Sequence, residues 1–303
     1  MEFTVLGLGE VLWDLLPTGP QLGGAPTNFA YHASILGARA MVVTRVGNDD
    51  LGRAALDRFK GMRLPTESVQ VDPSRPTGTV TVTLNEKGVA QYVFADDSAW
   101  DDLAVTDSAV AAASAVHAVC FGTLGQRTER SRKVIQHLVA AAPAGALKVF
   151  DVNLRLNFYS RDVIEQSMRL ANVLKINDEE LRVLTSMFSL QGNVRQRIEW
   201  FAYSFGFKTV VLTRGADGSL IHHDGRWSEM PPRPIRVLDT VGAGDAFAAG
   251  LAMGLLNGME LGELHHVAAE MARYVCSQCG GTPSMPDAFR RSLRTHCLRE
   301  HDD

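Results

Sequence analysis

Asp239-Thr-Val-Gly-Ala-Gly-Asp-Ala-Phe-Ala-Ala-Gly-Leu-Ala-Met-Gly-Leu-Leu256 opens on a carboxylate and two spaced glycines, then runs without a charge after Asp245. Such a run reads as a helix that is apolar on nearly every side and therefore buried. Asn257-Gly258 supplies the stop, glycine being the usual residue just past a helix end. At the other end, Gly242 and Gly244 carry no side chain to screen the backbone N–H groups. The first N–H groups of a helix lack partners inside it, and the helix dipole adds partial positive charge. The spacing therefore describes a small anion site, with Asp245 beside it in the first turn. A carboxylate next to an anion hole makes chemical sense as a base that takes a proton from a hydroxyl attacking a phosphoryl group. The plainer alternative is an acidic residue placed at a helix start for dipole reasons alone.

The rest of the composition limits what such a site serves. The 303 residues suffice for one large α/β domain or two smaller ones. Hydrophobic content of 46% and charged content of 21% are those of an ordinary globular protein. The net charge of −4 gives no electrostatic case for nucleic acid or an anionic membrane. No apolar run reaches membrane-spanning length without a charge, and Glu10 and Asp14 break the N-terminal one, which does not read as a signal peptide. Four cysteines and no N-x-S/T site fit a reducing cytoplasm. Cys276 and Cys279 form a C-x-x-C, but Cys120 and Cys297 stand apart, so no zinc set is formed. His265 and His266 lie on an expected helix and read as surface.

Along the chain, Phe3 to Leu8 reads as a first core strand, and Phe29, Ala30, Ala33 and Leu36 give helical spacing after Pro26, closed by Gly37. Met41 to Val46 is a strand and Asp50 to Met62 a helix. Residues 79–84 and 89–94 alternate with period two around an Asn85–Gly88 turn, a hairpin with a half-exposed face. Beyond Trp100, short apolar strands at Ala115–Phe121, Leu147–Val152, Val173–Ile176 and Thr209–Thr213 alternate with helical patterns such as Thr128–Ala142 and Val194–Phe205. That alternation predicts a mostly parallel sheet covered on both faces, with ligands at the carboxyl ends of its strands. No repeat or linker divides the chain, so residues 1–303 read as one domain, with a β-lid built from about 11–22 and 76–100.

A second glycine motif stands near the N-terminus: Gly23-Gly24-Ala25-Pro26-Thr27-Asn28-x-Ala30. Paired glycines let backbone approach a small polyol, and an amide both donates and accepts, which suits vicinal hydroxyls. With the D-T-x-G-A-G-D-x-F of residues 239–247, this pair resembles the two signatures of the ribokinase-like (PfkB) carbohydrate kinases. The resemblance spans nearly the whole chain and implies a three-layer α/β/α fold with a small β-sheet lid. It implies a kinase that uses ATP and Mg²⁺, and potassium in some members. Asp245 then matches the base, with Gly242, Ala243 and Gly244 as the anion hole. Asp14, Gly23, Gly24, Asn28 and Asn153 match sugar-binding positions. Asp151-Val-Asn-Leu-Arg155 resembles the D-x-N-x-R of fructokinase relatives, with Arg155 toward phosphate or a substrate oxygen. Asn177-Asp-Glu-Glu180 matches the N-x-x-E that organises water around magnesium, and Asn177 also suits a helix N-cap. Thr213-Arg-Gly215-Ala-Asp-Gly218 resembles the nucleotide loop. A potassium site would take Asp239, Val241, Val275, Gln278, Gly280 and Ser284, chiefly through carbonyls, and the Cys276–Ser284 loop would pack on the helix start.

No Gly-Lys-Ser/Thr is present, so this is no P-loop kinase, and Leu12 breaks a dinucleotide fingerprint after Gly7-Leu-Gly9. The segment Val93-Phe-Ala-Asp-Asp-Ser-Ala99 lacks the arginine with which ketodeoxygluconate kinases meet a carboxylate, and Asp96-Asp97 would repel one. Gly9-Glu-Val-Leu-Trp-Asp14 together with Gly23-Gly-Ala-Pro-Thr-Asn28 resembles the fructokinase branch, and the expected acceptor is a small neutral sugar, first fructose. Ribose, ketodeoxygluconate and nucleosides stay open as acceptors, and a non-catalytic sugar-binding regulator is the competing class. The lid hairpin, half apolar and marginal alone, implies a homodimer packed lid to lid.

Overall fold

The computed structural model describes residues 2–16, 19–84 and 90–297. The Asn85–Gly88 turn lies outside the described residues. Nine strands form the larger sheet: β1 (Thr4–Leu8), β4 (Arg39–Gly47), β5 (Val69–Asp72), β8 (Ala118–Phe121), β9 (Leu147–Asp151), β10 (Val173–Asn177), β11 (Thr209–Thr213), β12 (Ser219–His223) and β13 (Arg226–Met230). Their spatial order is β13-β12-β11-β10-β9-β8-β1-β4-β5. Every pairing from β5 to β11 is parallel, and β12 and β13 close one edge antiparallel.

Period-two alternation along these apolar strands feeds two cores. Val5, Val149, Val173 and Val211 join the core under α1 (Ala25–Ile35), α2 (Asp50–Gly61), α8 (Ala243–Leu256) and α9 (Leu261–Cys276). Their neighbours Leu6, Phe150, Leu174 and Val210 join the core under α3 (Asp107–Ser114), α4 (Glu129–Ala141), α5 (Arg161–Leu170), α6 (Asp178–Met187) and α7 (Val194–Phe205). One sheet between two helical layers is the expected α/β/α arrangement. A last helix, α10 (Ala288–Cys297), follows.

Helix α8 is the most enclosed element: Ala246 to Gly254 are all buried. At roughly 1.5–3 kcal/mol for each large apolar side chain removed from water, Phe247, Leu251 and Met253 anchor the site that begins at its first turn.

A second sheet has the order β3-β2-β6-β7, from β2 (Leu12–Leu16), β3 (Gly19–Gly23), β6 (Gly78–Leu84) and β7 (Ala90–Phe94). Leu15 pairs with Thr81 and Thr81 with Val93, an exposed row across one face, while Val80 of the opposite face is buried. β2 and β3 were legible only as part of a lid segment, because Asp14 interrupts the apolar run that would otherwise mark a strand.

His265 corrects the surface reading. It is fully buried, with Nε2 2.7 Å from the Ser219 hydroxyl and Nδ1 2.8 Å from that of Ser228. Helix α9 covers β12 and β13, two strands whose mixed residues did not reveal them, so one of the adjacent histidines faces the sheet.

Candidate active site

From β1 the chain steps outward to β4 and β5, then returns to the other side of β1 and continues through β8 to β13. The reversal opens a crevice at the carboxyl ends of β1 and β8, where ligands of such sheets bind. The two glycine motifs meet there. Gly24 (φ 112°) turns the chain from β3 into α1, and a side-chain carbon on it would stand 2.6 Å from the Glu10 carbonyl. Asn28, on the first turns of α1, donates from Nδ2 to Oδ2 of Asp245 at 2.8 Å across 217 residues of sequence. Its own Oδ1 is buried and meets no protein donor among the described residues. Asp14, on β2, closes another side, with Oδ2 2.6 Å from where a side-chain carbon on Gly23 would lie.

The start of α8 is built on a left-handed Gly242 (φ 76°). A side-chain carbon there would fall 2.5 Å from Cα of Gly281, so only glycine admits this turn. The opposing loop is fixed at several points. His32, buried in α1, donates from Nε2 to the Gly281 carbonyl at 2.9 Å. Tyr31 holds the Pro283 carbonyl and Tyr274 that of Ser284. Asp239 accepts from the Val241 N–H with Oδ1 and from the Gly280 N–H with Oδ2, each at 3.0 Å. Val275 is buried and its carbonyl accepts the N–H of Gln278. The loop thus packs on the helix start.

The charges converge on Asp245. Burial, helped by Asp151, raises its pKa to about 6, against Asn28, Lys175 and Arg155, which lower it. Asp14 is also pushed up to about 6 by burial and by Asp239, with Arg155 opposing. Glu10, buried at the end of β1, is raised to about 7, first by burial, and the charge of Asp245 adds to the shift. A site lined by carboxylates of raised pKa is arranged for proton transfer near neutral pH.

Asn177 and Thr213 are register partners at the ends of β10 and β11. Asn177 caps α6 through Glu180, in a reciprocal capping box at 2.9 and 2.8 Å. The other oxygen of Glu180 accepts the Leu154 N–H at 3.0 Å, so this buried carboxylate holds the Asn153–Leu156 turn as well. Asn153 (φ 45°) and Leu156 (φ 47°) both sit in the left-handed region and place Arg155 beyond the carboxyl end of β9, where it is exposed yet its charge acts to lower the pKa of Glu10, Asp14 and Asp245. Gly215 and Gly218 shape the turn between β11 and β12.

One expectation changes. Asp97, expected to help repel a carboxylate, is paired with Arg75 Nε at 2.8 Å, so its charge is partly offset. Two groups escaped the sequence reading. Glu10 was read only as a break in the N-terminal apolar run and Lys175 lay unremarked inside a segment read as an apolar strand; a charged residue among apolar ones was the available signal.

Comparison with known proteins agrees with this geometry. The model of the pfkB family carbohydrate kinases matches residues 19–288. A fructokinase of Klebsiella pneumoniae is 30% identical over 259 residues, 82% of this chain and 83% of the relative. A Xylella fastidiosa fructokinase with bound ATP superposes with a TM-score of 0.82 at 20% identity, covering 98% of this chain and all of that one. A Vibrio cholerae fructokinase double mutant with fructose, ADP and potassium superposes at 0.77, with 22% identity and 96% and 98% coverage.

Proposed function

Because the chain belongs to the pfkB family of carbohydrate kinases and is an ATP-dependent sugar kinase, we propose that its acceptor is fructose, phosphorylated on a primary hydroxyl. The observation that carries the mechanism is the Asn28–Asp245 hydrogen bond, which joins the sugar loop to the base and the anion hole. The fructokinase relatives, and a 93–99 segment without arginine, favour a neutral ketose over a sugar acid.

Asp14, Gly23, Gly24, Asn28 and Asn153 hold the sugar and leave one hydroxyl against Asp245. The Asp245 carboxylate takes the hydroxyl proton as the oxygen forms its bond to the γ-phosphorus and the bond to the β-phosphate oxygen breaks, releasing ADP. The N–H groups of Gly242, Ala243 and Gly244, with Arg155, receive the charge on the transferring group. Gly215, Gly218 and Thr213 seat the nucleotide. Asn177 and Glu180 would organise the waters of a Mg²⁺ ion, which when bound neutralises the β- and γ-phosphates. Asp239 and the carbonyls around Val241, Val275, Gln278, Gly280 and Ser284 would hold potassium and stiffen the hole. The four-stranded sheet, with segments 11–22 and 76–100, acts as the lid of a single domain and pairs with a second copy through its exposed row.

Coupled ADP release across fructose, ribose, ketodeoxygluconate and adenosine tests the substrate. Fructose should give the highest kcat/KM. A higher value for any of the other three would overturn the assignment.

A further inference from the structure

Lys175 stands in the middle of β10, between buried Leu174 and Ile176. Its Nζ donates to both oxygens of Asp151, on β9, at 2.9 and 2.8 Å, and each side chain is only 6% exposed. A side-chain carbon on Gly244 would lie 3.1 Å from this nitrogen. The ammonium therefore sits directly beneath the first turn of α8, and the ion pair is a dipole with its positive end at the anion hole. A buried ion pair seldom stabilises a fold better than apolar residues of the same size, so packing alone is a weak reason for this one.

We propose that Lys175 is a positioning residue for phosphoryl transfer, whose buried ammonium holds the field under the Gly242–Gly244 turn positive, with Asp151 as its counter-charge. The inference rests on the reading of that turn as the γ-phosphate site. The charged groups that face Asp245 are Asp151 on β9, Lys175 on β10, Arg155 after β9 and Glu10 after β1, and Glu180 of α6 faces Lys175. Among these, Asp151, Glu10 and Glu180 are carboxyls like Asp245 itself, Arg155 is exposed, and Lys175 is the buried cation. Without it, an incoming polyphosphate meets a cluster of like charge in a poorly screened site.

The test compares wild type with Lys175→Met and with the double variant Lys175→Met/Asp151→Asn, which removes the pair without leaving a buried charge unpaired. The double variant should melt close to wild type, yet its kcat on the best sugar should fall roughly 10- to 100-fold, less than the loss of a donor in direct contact. In Lys175→Met, if it folds, the acidic limb of kcat/KM should move to higher pH, because Asp151 and Asp245 then repel without compensation. A folded double variant within threefold of wild-type kcat would overturn the proposal. Calorimetry without sugar separates this idea from the substrate assignment. The double variant should lose about tenfold in ATP affinity while ADP affinity stays within about twofold. Equal losses for both nucleotides, or none, would overturn the proposal whatever sugar the enzyme prefers.

Discussion

The start of α8 and the four-stranded sheet face the same crevice but are built oppositely. Around the helix start the groups that shape the turn are held: Asp239 by two N–H groups, Gly281 by His32, Lys175 by Asp151, Asp245 by Asn28, while the buried Asn28 Oδ1 and Glu10 Oε2 have no protein partner among the described residues. The second sheet instead shows Leu15 and Val93 to solvent at 36% and 59% exposure. Chemistry that stabilises charge needs donors fixed before the substrate arrives. A surface that closes over a sugar, or meets a second copy, needs to move or to be reached. The contrast motivates the proposal that the chemical step belongs to the first region and closure and assembly to the second.

Gly242→Val strikes the fixed region hardest. The left-handed turn costs a branched residue about 1–3 kcal/mol, and the contact with Gly281 adds to it. Activity should fall by roughly 10² or more, as when an anion-hole donor is displaced, and circular dichroism should show an earlier melt. A variant with wild-type kcat would mean that the helix start does not hold phosphate.

Acidity probes the same region. Asp245 must be ionised to accept a proton, and burial raises its pKa to about 6. Below that value kcat/KM should drop about tenfold per pH unit and above it level off. A limb at the ordinary aspartate value of 3.8 would contradict the burial. The same shift carries a stability signature. A carboxyl whose folded pKa lies above its unfolded value costs stability once pH exceeds the unfolded value, and the cost is complete above the folded one. Asp245→Asn should therefore be roughly 1–3 kcal/mol more stable than wild type at pH 8, the gain vanishing in acid. Denaturant melts at both pH values decide this.

Potassium should raise activity severalfold over tetramethylammonium at equal ionic strength, and Asp239→Ala should abolish the difference. Identical rates in both salts would leave the Cys276–Ser284 loop a structural wedge only. Smallest is the effect of Val93→Lys, which should convert a dimer to a monomer by light scattering with kcat changed less than about twofold, as for a surface change. A wild-type monomer at micromolar concentration would sever the second sheet from assembly.

What the sequence disclosed follows the same division. The uncharged run after Asp245 and the β11 segment Thr209–Thr213 were legible because burial on all sides leaves an unbroken apolar signal. The β2–β3 and β12–β13 hairpins were not, since Asp14, Pro20, His222 and Arg226 dilute the alternation of strands at a sheet edge. His265 was misread for that reason: its partners Ser219 and Ser228 sit on strands not yet seen. Lys175 was hidden by its type, because lysine reads as surface until Asp151 is known to lie beside it.

The most direct test of the central claim is the kcat of Asp245→Asn on fructose with MgATP. The substitution keeps the shape and the contact with Asn28 but removes the base. The account predicts a loss of roughly 10²–10⁴, with sugar affinity changed far less. A kcat near that of wild type would show that Asp245 is not the group that takes the proton.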